Sequence, residues 1–294
     1  AEVDESDGLF VSLKASHIIM PNLEQEHAEH YKNEKELLGA FKNFLKKQSK
    51  KSVFFYHKED ANLRILAENF SGKTISFGFS DKANVYAKNI KVGICKVQFD
   101  AFANDKKIGK FTLNIPGIHN LINALAVIAL GINLGIDPSI MKKALSDYRS
   151  VKRRFEVAGY LNGAKVVEDY AHHPTEIKAT IAAAFSLNPR RLITVFQPHS
   201  YTRTKMFYKE FSSSFGGSDE VILTDVYAAN ESKLKGVGTK NIYDIMKNTG
   251  IIPVKCMKKE KISGYLSQNV KRGDLVLILG AGDINKVAHE VVQK

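Results

Sequence analysis

The second half of the chain repeats one pattern, in which a short run of apolar, buried-type residues is followed by a segment of helical periodicity. The runs predict strands at residues 165–168, 192–196, 221–224, 254–257 and 275–279. The helical segments between and after them cover residues 175–185, 204–215, 241–248, 260–270 and 284–292. Strands that alternate with helices form a mostly parallel sheet covered on both faces, so this half predicts a doubly wound α/β domain.

The first half of the chain begins with the same alternation and then changes character. Strands are predicted at residues 18–20, 53–55 and 74–77, and helices at 33–47, 61–70, 119–134 and 137–148. Between residues 83 and 115 the helical periodicity disappears and apolar residues alternate, which predicts a β-meander. The whole chain is therefore predicted to be α/β with two domains, residues 1–155 and 156–294.

The formal net charge of +12 raises the question of nucleic-acid binding. Lysine outnumbers arginine 35 to 8, and the lysines are scattered over predicted helix faces. Scattered lysines are typical of a solvated surface. Five arginines cluster at residues 153–154, 190–191 and 203, and arginine is well suited to planar anions. We therefore expect a small anionic ligand and no nucleic-acid partner.

Other features of the composition bear on location and on the ends of the chain. No apolar run reaches the length of a membrane span, so no membrane partner is expected. Cys95 and Cys256 lack metal-ligand spacing and are predicted to be buried, reduced thiols, as in a cytoplasmic protein. The chain starts with acidic residues, without an initiator Met or a signal peptide, so we expect that it is truncated at its N-terminus.

Two clusters of polar residues lie just after predicted strands of the second half. One covers residues 169–176 and contains His172 and His173, and the other covers residues 197–204 and contains His199 and Arg203. Ligands of doubly wound sheets bind at the carboxyl ends of the strands. If the two strands are neighbours, these side chains share one crevice, and we expect a binding site there.

Three further places allow both a functional and a structural interpretation. Residues 22–31 are rich in His and Glu and could hold a Mg²⁺ ion together with phosphates, or could form an ordinary polar loop. Asn120 and Asn123, one helical turn apart, could bind an adenine edge, although the first could instead cap its helix. Arg153 and Arg154 could clamp phosphates or remain a solvated pair. The glycines at 280–282 are explained by a tight turn.

These clusters together resemble the motifs of the Mur ligase family. Residues 169–176 and 196–204 are similar to its two C-terminal signatures, residues 116–124 to its adenine-site motif, and residues 153–155 to the basic motif before its C-terminal domain. Residues 22–31 resemble the metal-binding loop of the central domain, and residues 1–7 its acidic metal motif. The resemblance covers the whole chain, and the segment 196–199 favours the alanine-adding branch of the family.

The resemblance implies an incomplete central ATP-binding domain of the P-loop type, followed by a C-terminal Rossmann-like domain. The implied activity joins L-alanine to UDP-N-acetylmuramate in the cytoplasm through an acyl phosphate, with ATP and Mg²⁺, for peptidoglycan synthesis. The UDP-sugar domain and the phosphate loop are missing from the printed sequence, so the fragment alone is expected to be inactive. Residues 72–74, Gly-Lys-Thr, are read as a turn.

The resemblance also assigns roles to individual residues. Glu2 and His27 would bind metal ions, Asn120 and Asn123 would bind adenine, Arg154 would contact phosphates, and Asp169 would contact the ribose. The pocket for the amino acid and its carboxylate would be formed by Tyr170, His172, His199 and Arg203. The catalytic set would be His27, Arg154, His172, His199 and Arg203. The sequence departs from the family pattern at Ser200, where many members have a basic residue, which predicts a less cationic pocket.

Three rival interpretations remain open at this point. The first is a ligase of wall recycling that attaches a peptide to the same sugar nucleotide. The second is a non-catalytic nucleotide-binding module. The third is a metal-dependent hydrolase that uses the histidines. The oligomeric state cannot be predicted from the sequence.

Overall fold

The computed structural model describes residues 1–27, 30–93 and 95–293. By packing, the chain divides into two compact units, Ala1–Tyr148 and Arg149–Lys294. The sequence placed the boundary between residues 155 and 156, whereas residues 149–155 pack with the second unit. Within the described ranges no helix has both the length and the apolar character that a bilayer crossing requires.

The first unit is built on a six-stranded sheet whose strands follow one another in chain order. The strands are β1 (His17–Met20), β2 (Val53–His57), β3 (Lys73–Gly78), β4 (Val85–Gly93), β5 (Lys96–Ala103) and β6 (Lys106–Leu113). The first four run parallel, and β4, β5 and β6 form the predicted antiparallel meander. The helices are a short 3-10 helix (Leu9–Ser12), α1 (Glu34–Lys46), α2 (Ala61–Glu68), α3 (Ile118–Asn133) and α4 (Pro138–Asp147).

Alternating side chains of β2 show how this sheet is covered on both faces. Phe55 packs into a core with α3 and α4, while Phe54 packs with α1 and α2 on the opposite face. Both phenylalanines are fully buried, as expected because successive side chains of a strand point to opposite faces. Local capping supports the pattern, since Asn33 and Asp60 accept backbone N–H groups at the starts of α1 and α2.

The second unit is also built on a six-stranded sheet, with the order β11-β10-β9-β12-β8-β7. Its strands are β7 (Glu156–Leu161), β8 (Ala164–Asp169), β9 (Leu192–Phe196), β10 (Glu220–Leu223), β11 (Val254–Cys256) and β12 (Leu275–Leu279). All run parallel except β7. Its helices are α5 (Pro174–Phe185), α6 (Tyr201–Ser212), α7 (Thr239–Thr249), α8 (Lys259–Asn269) and α9 (Asn285–Val292). The first three pack on one face and the last two on the other.

The predicted α/β class is confirmed in both units, but two details differ. Strand β12 lies between β8 and β9, which were expected to be neighbours, because the chain returns to the middle of the sheet at its end. Strand β7 was not predicted. Its alternation is weak because β7 lies at the sheet edge, with much of its surface accessible.

The predicted burial of the two cysteines and the predicted role of one arginine pair are wrong, although both cysteines are free thiols. Cys256 is exposed because it ends the edge strand β11, and Cys95 is only partly buried, in the turn between β4 and β5. Arg190 and Arg191 do not belong to an anion site. They precede β9 at the amino end of the sheet and bind the buried carboxylate of Asp274, at 2.9 and 2.8 Å.

Candidate active site

The carboxyl end of β8 carries Asp169, whose side chain is held by the protein itself. One carboxylate oxygen accepts the N–H of Phe155 at 2.8 Å, and the other accepts the N–H of Ala171 at 2.7 Å and the hydroxyl of Thr180 at 3.4 Å. The side chain is 7% exposed, and burial raises the pKa of its carboxyl, against these hydrogen bonds and the charge of Arg154. Asp169 therefore fixes the loop that leads from β8 into α5.

That loop places His172 over the first turn of α5. The imidazole Nδ1 lies 2.9 Å from the carbonyl oxygen of Tyr170 and 3.3 Å from Oε2 of Glu176. The same oxygen of Glu176 accepts the backbone N–H groups of His172 and His173, at 2.9 and 3.2 Å. Burial would raise the pKa of the Glu176 carboxyl, but His172, these N–H groups and Arg154 outweigh it, so the pKa is lowered. The side chain is thus held as a carboxylate.

The loop after β9 carries the second histidine. Nη1 of Arg203 lies 3.0 Å from Nδ1 of His199, and the guanidinium side chain is 7% exposed. The imidazole also stacks on Tyr227, with ring centroids 5.5 Å apart. The backbone of Ser200, at a φ of 62°, caps α6, and its hydroxyl accepts the N–H of Arg203 at 3.2 Å. Ser200 is therefore buried and serves the helix.

The two histidine loops converge although β12 separates their strands. The ring centroids of His172 and His199 are 5.7 Å apart, and Tyr170 makes an edge contact with His172 at 5.2 Å. The crevice at these strand ends thus contains His172, His199, Tyr170 and Arg203, as doubly wound sheets arrange their ligand sites. The third predicted histidine, His173, packs on Phe207 instead. A negatively charged carboxylate would meet the buried arginine there, and an amino group would meet imidazole nitrogens.

Arg153 and Arg154, which precede β7, make different contacts. Arg153 donates to the carbonyl oxygens of Gly280 and Gly282, at 2.8 and 2.9 Å, which ties it to the turn after β12. Arg154 is about half exposed, lies 3.4 Å from Glu176 and stacks its guanidinium over Tyr170 at 5.4 Å. Arg154 is therefore the member of the pair whose charge remains accessible to a ligand.

The turn after β12 is shaped by close contacts. A Cβ atom on Gly282 would lie 2.5 Å from the Tyr227 ring and 2.6 Å from the side-chain oxygen of Gln197. The same oxygen accepts the N–H of Ile284 at 3.1 Å. The glycine thus lets the ring of Tyr227 pack directly on the turn, as the tight-turn interpretation predicted.

In the first unit, His27 lies among acidic residues. Its Nε2 is 3.6 Å from the carboxylate of Glu5 and 4.0 Å from that of Asp4. One ligand atom from each of the three side chains falls within 4.8 Å of the others. Carboxylates suit Mg²⁺ or Mn²⁺, and imidazole suits Mn²⁺ and heavier ions, so this donor set fits a divalent cation. Glu2, the acidic residue predicted for the metal, is exposed and lies outside this group.

The loop and helix around these residues complete the first unit's candidates. Tyr31 binds the backbone of the acidic segment, with its hydroxyl 2.9 Å from the carbonyl oxygen of Glu5; Ala28 and Glu29 of the predicted metal loop lie outside the described residues. The alternative interpretation of Asn120, as the cap of α3, is wrong. Its side-chain amide instead donates to the carbonyl oxygen of Pro116, at 2.7 Å. Asn123 is exposed on the same helix.

Four residues of these sites were not singled out from the sequence. Asp4 and Glu5 lie in the acidic motif but not at the position chosen. Tyr227 and Glu231 follow β10, and Glu231 accepts the N–H groups of Tyr201 and Thr202 at the start of α6, at 2.6 and 2.9 Å. Their position just after a parallel strand was the available signal, since that is where such sheets bind ligands.

Two family models match this chain in the order of its units. The Mur ligase middle domain matches residues 3–131, and the Mur ligase, glutamate ligase domain matches residues 153–282. The chain belongs to the Mur ligase family. His27, Asn120 and Asn123 fall within the middle-domain match, and all candidate residues of the second unit fall within the other. Glu2 lies just outside.

Among curated relatives, UDP-N-acetylmuramate--L-alanine ligase of Desulforamulus reducens is 37% identical over 298 residues, which cover all of this chain and 64% of the relative. The Mur ligase chain therefore spans less than two thirds of that protein's length. Among solved structures, UDP-N-acetylmuramate-alanine ligase MurC of Thermotoga maritima aligns with a TM-score of 0.79 and 26% identity, over 99% of this chain and 62% of that one. A murein peptide ligase of Psychrobacter arcticus, with a TM-score of 0.68 and 22% identity over 97% and 58%, shares the fold.

Proposed function

We propose that this chain is the nucleotide-binding and amino-acid-binding part of an enzyme that joins L-alanine to UDP-N-acetylmuramate with ATP. The observation that carries the proposal is the convergence of His172, His199 and Arg203 at the carboxyl edge of the second sheet. An amino acid brings one carboxylate and one amino group, and this crevice offers one buried guanidinium and two imidazoles. The identity to the Desulforamulus reducens ligase supports alanine as the amino acid.

The chemistry asks for two kinds of recognition. A carboxylate is a poor electrophile, so phosphoryl transfer from ATP first converts the muramoyl carboxylate into an acyl phosphate. The amine then attacks the acyl carbon, and phosphate leaves. Phosphoryl transfer depends on positioning and on stabilisation of charge. We assign positioning of the nucleotide to the first unit and positioning of the amine to the second.

In the first unit, Asn120 and Asn123 are proposed to hold adenine. Asn123 is exposed and can pair with both a donor and an acceptor, whereas Asn120 already donates to Pro116. His27, with Asp4 and Glu5, would hold a divalent cation, and Glu2 remains a proposed ligand from the family resemblance. Mg²⁺ bound there would offset the negative charge of the phosphates.

In the second unit, Arg203 is proposed to bind the alanine carboxylate, because guanidinium and carboxylate fit as a charge-assisted pair. Tyr170, His172 and His199 would surround the amino group. Arg154 keeps an exposed guanidinium for a phosphate. The proposed ribose contact of Asp169 must compete with its bonds to Phe155 and Ala171, so we expect its main role to be support of the loop.

The test is a ligation assay with the whole protein that the gene encodes. ADP release is measured with UDP-N-acetylmuramate, ATP, Mg²⁺ and either L-alanine or a wall tripeptide, and the product is identified by mass. We expect ADP release that depends on alanine and a product heavier by one alanyl residue. Turnover with the tripeptide alone would identify a recycling ligase instead, and nucleotide binding without turnover would indicate a non-catalytic module. Product formation without ATP would indicate a hydrolase.

A further inference from the structure

We propose that His172 is the general base that deprotonates the incoming amino group, and that Glu176 positions it in the reactive tautomer. The inference rests on the proposed function and concerns a division of labour between the two histidines of the site. Both imidazoles lie in one crevice, with ring centroids 5.7 Å apart. The groups that face the two Nδ1 atoms are of opposite kinds, acceptors at His172 and a donor at His199.

The partners of His172 require a proton on Nδ1. This nitrogen lies 2.9 Å from the carbonyl oxygen of Tyr170 and 3.3 Å from Oε2 of Glu176, and both are acceptors. Nδ1 must therefore donate. In the neutral ring the lone pair is then on Nε2, which is the nitrogen that can take up a proton. A carboxylate behind the imidazole stabilises the cation that results, as in a Ser-His-Asp triad.

The contact between Arg203 and His199 requires the opposite tautomer at His199. Its Nδ1 lies 3.0 Å from Nη1 of Arg203, and a guanidinium can only donate. Nδ1 must therefore accept, and the proton of the neutral ring is on Nε2. A second proton on this ring would break the contact and place two cations side by side, which nearby like charge disfavours. His199 is thus suited to donate a hydrogen bond and His172 to accept a proton.

Glu176 stays ionised because several groups stabilise its charge. Oε2 accepts the N–H groups of His172 and His173, and Oε1 lies 3.4 Å from Arg154. The side chain also completes the capping box at the start of α5. Its carboxylate is therefore fixed by the helix and is available to His172 throughout the reaction. The charged and titratable groups near His172 include Glu176, Tyr170 and His199, with Arg154 beside Glu176 and Arg203 beside His199.

The proton balance of the step follows from the substrate. Alanine arrives as an ammonium ion, which has no lone pair for attack. Nε2 of His172 takes one proton, and the nitrogen then forms its bond to the acyl carbon. When the tetrahedral adduct collapses, the bond from carbon to the phosphate oxygen breaks, and phosphate leaves with the electron pair and takes up the second proton. The imidazolium returns its proton to solvent.

The experiment compares two nucleophiles in the whole protein. Alanine needs a base, whereas hydroxylamine is unprotonated at neutral pH and attacks acyl phosphates without one. We expect Glu176→Gln to lower kcat with alanine about 10- to 100-fold and His172→Gln about 100-fold or more, in the range of general-base effects. Hydroxamate formation should remain within about threefold of the wild type. Lys178→Gln, on an exposed position of α5, is the matched control and should leave both rates unchanged.

The pH profile separates positioning from folding. Loss of the Glu176 charge destabilises the imidazolium, so the acidic limb of the kcat profile should lie at lower pH in Glu176→Gln. Gln keeps an oxygen that accepts the N–H groups of residues 172 and 173; if it nevertheless fails to fold, His172→Gln alone decides. Equal losses with alanine and hydroxylamine, or an unshifted profile, would overturn the proposal. A folded wild type that forms no alanine product would instead overturn the proposed function.

Discussion

The loops that carry His172 and His27 are held in different ways. His172 lies between a strand and a helix, and fixed acceptors determine its tautomer. His27 lies in a loop with a φ of 52°, near two carboxylates at 3.6 and 4.0 Å, and no regular element passes through it. Under the proposed function, the fixed donors and acceptors around His172 would orient an organic substrate. The loop of His27 gathers negative charge that a cation would balance.

If the second unit is held by fixed contacts, its buried ion pairs should contribute strongly to its stability. Asp274 has a fully buried side chain that accepts from Arg190 and Arg191. Burial would raise the pKa of its carboxyl, but the two arginines and the N–H of Lys271 lower it. Asp274→Asn should reduce the free energy of unfolding by about 3 kcal/mol. This is the lower end of the range for a broken buried ion pair, because the two arginine side chains remain partly exposed to solvent.

The measurement is urea denaturation followed by circular dichroism. Asp244→Asn is the matched control, since its pair with Lys240 is largely exposed, and it should change the free energy of unfolding by less than about 0.5 kcal/mol. Similar losses in both variants would show that the arginine pair at the amino end of the sheet is no more than a surface contact.

A second prediction concerns Asp169, which supports the histidine loop. Asn offers only one acceptor oxygen where the carboxylate serves Phe155 and Ala171, so Asp169→Asn should cost about 1–3 kcal/mol of unfolding free energy. The raised pKa of the Asp169 carboxyl also makes the free energy of unfolding depend on pH. Between the ordinary value of 3.8 and the raised folded value, the folded state binds more protons than the unfolded state. Stability from this group therefore falls as pH rises through that window.

Denaturation midpoints measured from pH 4 upward test this sign. The difference in unfolding free energy between wild type and Asp169→Asn should be largest at the acidic end and should shrink as pH rises. A difference that grows with pH would mean that the carboxylate is stabilised by the loop more than burial destabilises it.

The third and smallest effect concerns the first unit. His27→Ala should weaken Mn²⁺ binding by roughly tenfold, comparable to the loss of a partner of a metal site, and should leave the unfolding free energy nearly unchanged. The measurement is titration calorimetry, with His30→Ala as control, because His30 lies in the same loop but outside the group of Asp4, Glu5 and His27. Equal binding by all three proteins would remove His27 from the metal site.

The elements of this fold could be predicted because local patterns determine them. Apolar runs such as residues 192–196 and 275–279 are strands with the predicted bounds. Pairing could not be predicted, because the insertion of β12 between β8 and β9 depends on contacts far apart in sequence. The edge positions of β7 and β11 explain why one strand was missed and why Cys256 was wrongly expected to be buried.

The sequence predicted which residues lie near the crevice, but not what each side chain binds. The positions after β8 and β9 indicated the crevice, and the rings of His172 and His199 do meet. The sequence could not distinguish Arg153, which binds the turn at 280–282, from Arg154, which keeps an accessible charge. Nor could it show that the carboxylate of Asp169 accepts hydrogen bonds from the backbone N–H groups of Phe155 and Ala171. Such contacts depend on which backbone groups lie nearby in space.

We propose that the first unit recognises the nucleotide and that the second unit recognises the amino acid. The most direct measurement is the pair of KM values, for ATP and for L-alanine, in the whole protein carrying Asn123→Ala or Arg203→Ala. We expect Arg203→Ala to raise KM for alanine about tenfold or more, as the loss of a charged hydrogen bond should, with KM for ATP unchanged. Asn123→Ala should raise KM for ATP and leave KM for alanine unchanged. A KM for ATP that rises in Arg203→Ala while that for alanine stays constant would contradict the account.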